Sequence, residues 1–175
     1  TANEILPNGL LAQVSPFDDP GTLVGLTSGK VCAIGLEEYR LFAIASGDGG
    51  ATWGADVTVA GAAGQPNVFE EAAAIDASGR VYVAFTVADA TKDFGLQFAS
   101  STDGGATWSA PKNLVKRGDA AFGVVDPKVA VGTGGLVAVV FRGQSEGYPY
   151  VTFSTDDGQS WSTPATLDDN EGANA

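Results

Sequence analysis

One short segment, Arg142 to Tyr148, carries Arg142, Glu146 and Tyr148. Three more carboxylates, Glu70, Glu71 and Asp126, stand at the starts of apolar runs. A ring of such carboxylates could hold Ca²⁺ through oxygen ligands. No EF-hand-like spacing accompanies them, and Asp156-Asp157-Gly158 alone is not a metal motif. The expectation is therefore no cofactor, with Ca²⁺ as the one ion this chemistry would take. Arg40 and Arg142 end apolar runs and have a simpler reading as exposed ion pairs with Glu38 or Glu146, worth little. Asp126-Pro127 and Asp19-Pro20 read equally well as turn starters.

What is missing narrows the chemistry further. The 175 residues contain no His, which excludes Ser-His-Asp and Cys-His catalysis and His-ligated zinc or iron within the chain. The single Cys32 allows no internal disulfide and sits in an apolar run, Lys30-Val31-Cys32-Ala33-Ile34, as a small buried hydrophobe would. A net charge of −12 disfavours nucleic acid and anionic membrane surfaces as partners. No apolar run reaches the roughly 18 residues of a membrane span. Without an initiator Met or an apolar leader, the chain reads as processed, trimmed or excised.

The elements that must position these residues come from a repeat. Ser46-Gly47-Asp48-Gly49-Gly50-Ala51-Thr52-Trp53 recurs as Ser101-Thr102-Asp103-Gly104-Gly105-Ala106-Thr107-Trp108 and as Ser154-Thr155-Asp156-Asp157-Gly158-Gln159-Ser160-Trp161. All share the pattern S-x-D-x-G-x-[T/S]-W, and the Asp positions lie 55 and then 53 residues apart. The Asp can accept hydrogen bonds from backbone N–H groups two residues on, as in an Asx-type turn. Gly50, Gly105 and Gly158 can take positive φ at low cost. Trp53, Trp108 and Trp161 can cover the turn and bury apolar area. The boxes read as structural, not catalytic.

Each repeat also holds four β-type runs. In the second they are Ala72–Asp76, Arg80–Thr86, Gly95–Ser100 and Lys112–Val115. In the third the inner run is Lys128–Val131. No helix is evident. Four strands per repeat of about 50 residues make a propeller blade. The fold class expected is all-β: three four-stranded antiparallel blades at about 20–60, 66–116 and 124–168, with 1–9 as an extra outer strand. The chain is read as one module, 1–175.

These boxes resemble the Asp-box repeats of the sialidase (neuraminidase) superfamily, and similar boxes occur in sortilin-type receptor ectodomains, xyloglucan-cleaving glucanases and a photosystem II assembly factor. The resemblance spans nearly the whole chain, as repeats, so it bears on fold more than on function. It implies six blades, of which three are present here, and hence either the remainder of a longer propeller or a homo-oligomer. It also implies a working face opposite the boxes, formed by residues 36–40, 87–94 and 142–148 and by the blade-to-blade segments 14–21, 60–71 and 116–127.

A sialidase holds its substrate carboxylate with three arginines and uses a Tyr nucleophile activated by a Glu. Carried onto this chain, the resemblance offers Arg40 and Arg142 for substrate binding, and Tyr148 with Glu146 or Glu71 for nucleophile and base. The [F/Y]-R-I-P segment of the first sialidase arginine is missing, and Arg80 lies in a turn on the box face. The expectation is a glycan-binding or glycan-hydrolysing module of exo-glycosidase type, extracellular or at the cell surface. The alternative is a non-catalytic structural, self-assembling or protein-binding propeller module.

Overall fold

The computed structural model describes residues 21–25, 29–88, 94–116, 123–143 and 147–167. Twelve strands form three separate four-stranded antiparallel sheets, with no helix among the described residues. The first blade comprises β1 (Thr22–Gly25), β2 (Val31–Glu37), β3 (Arg40–Ser46) and β4 (Val57–Ala60). The second comprises β5 (Asn67–Ile75), β6 (Val81–Ala88), β7 (Gly95–Ser101) and β8 (Lys112–Val115). The third comprises β9 (Val124–Val131), β10 (Val137–Gly143), β11 (Pro149–Ser154) and β12 (Ala165–Thr166). Strand order follows chain order in every sheet. The segment 1–9, read as an outer strand, lies outside the described residues.

Each blade is a meander, so its strands alternate in direction. The β3–β4, β7–β8 and β11–β12 connections carry the boxes, and all three emerge at one end. The turns after β2, β6 and β10, and the blade-to-blade connections, emerge at the other. β1 packs on β5 and β5 on β9, so the first strands of the blades line one side of the array.

The core lies in the two seams between blades. In β6 every residue is buried. Alternation sends Val81, Val83, Phe85 and Val87 to one face and Tyr82 and Ala84 to the other. The first set packs with Cys32, Ile34, Leu36 and Ala43 of the first blade. The second set meets Val137, Val139 and Phe141 of the third blade. Fully burying one such Val, Leu or Phe contributes roughly 1.5–3 kcal/mol, so the middle blade is held from both sides.

The boxes close differently from a simple Asx turn. Ser46 Oγ accepts the Asp48 and Gly50 N–H groups and donates to Asp48 Oδ1. Asp48 in turn accepts the N–H and hydroxyl of Thr52, four residues on, at 2.8 and 2.6 Å. The second and third boxes repeat this network through Ser101, Asp103 and Thr107 and through Ser154, Asp156 and Ser160. The glycine turns the chain far enough that the carboxylate meets the amide four residues along; Gly50, Gly105 and Gly158 have φ of 88°, 102° and 83°.

The boxes also cross the seams. Trp108 packs against the first seam cluster, and Trp161 sits edge-on to Phe98 at 4.8 Å. A Cβ on Gly105 would overlap Cys32 Sγ, and one on Gly158 would overlap the Phe98 ring. Arg80 forms an ion pair with Asp157, and Tyr82 Oη donates to Asp157 Oδ1 at 3.1 Å. Lys112 Nζ donates to the carbonyls of Gly158 and Gln159 at 3.0 and 3.1 Å. Each of the later boxes thus fastens its own blade to the one before.

Candidate functional site

The inner strands bend where they approach the face opposite the boxes. In β5 the register with β6 shifts between Val68 and Glu70. In β9 it shifts where Val140 pairs with Lys128 and Arg142 with Val125, which places Asp126 and Pro127 in a bulge. Bulges are where a proline can enter a sheet. The third inner strand therefore begins at Val124, four residues before the Lys128 start read from the sequence, and Asp126-Pro127 lies within it.

Counting back from the pairs Ile75–Val81 and Val131–Val137, Glu70 and Asp126 occupy equivalent places on successive inner strands. They meet across the second seam, where Glu70 Oε2 accepts the backbone N–H of Asp126 at 2.8 Å. Asp126 Oδ2 in turn accepts two N–H groups of Arg142, Nε at 2.9 Å and Nη2 at 2.5 Å. Asp126 has φ of 55°. A residue ahead of proline favours an extended backbone near −120°, so this conformation is held by its surroundings, and such strain tends to gather at functional sites. The Arg142 and Asp126 side chains are each 51% exposed. The result is a charged cluster open to solvent, with acceptors and donors side by side.

The residues singled out from the sequence fall in different places. Arg142 and Tyr148 stand at one strand end: Arg142 pairs with Pro149, and the Tyr148 carbonyl accepts the Gly143 N–H at 2.9 Å. The Tyr148 side chain is exposed. Arg142 forms an ion pair with Asp126. Glu146 lies outside the described residues.

Glu71 is only 4% exposed, and alternation places it with Ala73 and Ile75 on the side that faces the first blade. It is thus not on the Arg142 side of β5. Arg40 is on the first blade, where it forms ion pairs with Glu37 and Asp56, both at 2.8 Å, in place of the expected Glu38. It also donates to Thr58 Oγ1 at 3.1 Å and lies over the Phe42 ring. The hydrogen bond with Asp56, more than that with Glu37, raises its pKa and holds the Asp56 carboxyl below the usual range. Among the described residues Arg40 and Arg142 share no partner, and they stand on blades separated by the second.

Among the described residues, other chemistry is absent or masked by burial. No group of three His, Cys, Asp or Glu residues is arranged to hold a metal among the described residues. Burial pushes the Cys32 thiol up to about 12, so it carries no thiolate at neutral pH.

Sequence reasoning missed two features of this face. The first is the Glu70–Asp126–Arg142 contact. Its one sequence signal was an Asp-Pro pair ahead of a β-type run, which a bulge explains as well as a turn does. The second is a set of rings, Tyr39, Phe69 and Phe94, whose centroids follow one another at 5.2 Å across the first seam.

Comparison with known proteins bears on the fold. Residues 28–175 match the family described as BNR repeat-like domain. No curated protein matches the chain. Among solved structures, a Dyadobacter fermentans protein of unknown function is 16% identical, with a TM-score of 0.66 over 89% of this chain and 53% of that one. A mutant α-L-arabinofuranosidase from Fusarium graminearum, in complex with an iminosugar inhibitor, is 16% identical, with a TM-score of 0.61 over 86% and 48%. A mutant NanB sialidase from Streptococcus pneumoniae is 17% identical, with a TM-score of 0.53 over 85% and 23%. The chain spans about half the length of the first two. At these identities the likeness is one of fold.

Proposed function

The chain belongs to the BNR repeat-like domain family, and on that premise we propose that it is part of a glycan-active propeller whose face opposite the boxes binds carbohydrate around Glu70, Asp126 and Arg142. The observation that carries this reading is the bond from the Asp126 N–H to Glu70 Oε2, made beside the Arg142–Asp126 pair. It gathers two carboxylates and a guanidinium from two blades at one solvent-facing point. Carboxylates accept, and a guanidinium donates, hydrogen bonds in fixed directions, which suits a ligand rich in hydroxyls. The acidic chain, with a net charge of −12, favours a neutral sugar over an anionic one. Arg40 and Arg142 are each engaged by carboxylates of this chain, so a carboxylate clamp of sialidase type is less well supported than this cluster.

A glycan array probed with the 175-residue chain tests the reading, with E70Q, D126N and R142A as comparisons. Binding that weakens in all three variants, with melting temperatures kept, supports it. Binding indifferent to all three overturns it.

Hydrolysis is a second reading, favoured by one observation: the two carboxylates sit at equivalent places on successive strands but are held by different partners, an amide and a guanidinium. Glycoside hydrolysis commonly uses two carboxylates in different environments. Chromogenic aryl glycosides would show turnover lost in both E70Q and D126N.

A further inference from the structure

Phe69 fills the extra position of the β5 bulge, immediately before Glu70. A bulge re-aims a side chain, and this ring meets the first blade, 5.2 Å from the Tyr39 centroid and 5.2 Å from Phe94, which stands edge-on to it. Tyr39 has φ of 66°, a costly conformation for a bulky residue. Glu37 pairs with Arg40, so Glu38 and Tyr39 form the two-residue β2–β3 hairpin turn, which sets positive φ at both. Contacts to the Tyr39 carbonyl fix the turn against the second blade. The Tyr39 carbonyl accepts the Val68 N–H at 3.0 Å, and Gly61 lies so close to the same carbonyl that a Cβ would not fit. Yet the side chain so fixed is 51% exposed. A ring placed for core packing would be withdrawn from water; this one is presented to it, on the same face and at the same strand end as the charged cluster.

We propose that Tyr39, braced by the tilted rings of Phe69 and Phe94, offers a stacking platform for the C–H face of a sugar ring, so that the ligand is a neutral oligosaccharide reaching from the second seam to the first. The inference rests on the carbohydrate reading above. An aromatic face is electron-rich and attracts the weakly positive C–H edges of a pyranose or furanose. Phe69 and Glu70 are consecutive on β5 and address opposite sides of it. One sugar unit bound at the charged cluster and another at the rings therefore belong to one chain crossing β5. A monosaccharide could occupy only one of the two.

The test is calorimetric titration with two ladders of neutral oligosaccharides, α-1,5-linked arabinose and β-1,4-linked glucose, from one to six units. The proteins are the wild type, Y39N, Y39F and R142A. Asn suits a positive φ, so Y39N removes the ring without adding strain, and its melting temperature checks the fold. Wild-type affinity for at least one ladder should rise with length. Y39N should lose about tenfold on the longer members and nothing on the monosaccharide, while Y39F behaves as wild type. R142A should weaken binding at every length. Equal affinities of Y39N and wild type at all lengths overturn the platform and leave the carbohydrate reading standing. Failure of both ladders, with the array responding only to acidic glycans, also overturns the platform alone. Failure of the ladders and of the whole array overturns both.

Discussion

Gly105 of the second box lies directly over Cys32 of the first blade, with no room between them for even a β-carbon. The contact crosses a seam, so a residue that reads as a turn former also sets how closely two blades approach. Ala at position 105 meets both the Cys32 sulfur and a backbone φ of 102°. Overpacking and left-handed strain each cost on the order of 1–3 kcal/mol. Gly105→Ala should therefore destabilise by about 2–4 kcal/mol in urea unfolding. Adding Cys32→Ala should restore part of the loss, because only the overpacking term is relieved. Simple additivity of the two substitutions would refute the seam argument.

The second seam is fastened by Tyr82, whose hydroxyl donates toward Asp76 at 3.0 Å and Asp157 at 3.1 Å. The ring is buried. Tyr82→Phe leaves the packing but removes the hydroxyl from both carboxylates, and should cost about 1–2 kcal/mol. Arg80→Ala removes a half-exposed ion pair with Asp157 and should cost less than about 1 kcal/mol. A larger loss from Arg80→Ala than from Tyr82→Phe would reverse the order expected here.

Acid should loosen the boxes. Hydrogen bonds from the Thr52 hydroxyl and amide hold the Asp48 carboxyl down to about 2. Asp103 is pushed up by desolvation, but bonds from Thr107 and Ser101 outweigh this and bring it to about 2. Asp156 is lowered in the same way, first by the Ser160 hydroxyl. An unfolded Asp titrates near 3.9. A group depressed on folding stabilises above its unfolded pKa and loses that contribution as pH falls through its folded one. The melting temperature should thus be level above about pH 5 and fall between about pH 4 and 2. Asp48→Asn should be less stable at pH 7 and show a shallower acid decline. An unchanged decline would assign it to other carboxylates.

Cys32 is fully buried in the first seam, and its thiol is pushed up to about 12 by desolvation. A disulfide reagent at pH 8 should leave the native chain unlabelled for as long as the seam is closed. The labelling rate should rise with urea in step with unfolding. In Gly105→Ala it should be faster at every urea concentration below the wild-type unfolding transition. Fast labelling of the native wild type would show that the seam opens locally.

Three boxes with even spacing were enough to read three four-stranded sheets, because each box combines a turn, a glycine and a Trp that together admit few other structures. Strand identities followed from β-branched runs such as Val81–Val83 and Val137–Val140. Strand ends were less legible. Bulges leave no pattern of period two, and so Phe69 and Asp126 read as loop residues although both belong to strands. For the same reason the Glu70–Asp126 contact was hidden: it joins residues of two blades through a backbone N–H, a group that carries no sequence signature. The pairing of Arg142 with Asp126 likewise depends on register across β9 and β10.

The way each later box leans on the preceding blade gives the array a direction. A repeat copied in tandem would bring with it the half of the joint that grips its predecessor, and would offer its own sheet to whatever follows. Lengthening such an array by duplication needs no new contact to be invented. It also ties the histories of neighbouring repeats together: Phe98 answers to Gly158 and Trp161 one repeat later, and Cys32 to Gly105. Substitutions should drift in linked pairs between successive repeats, not between the same positions of all three.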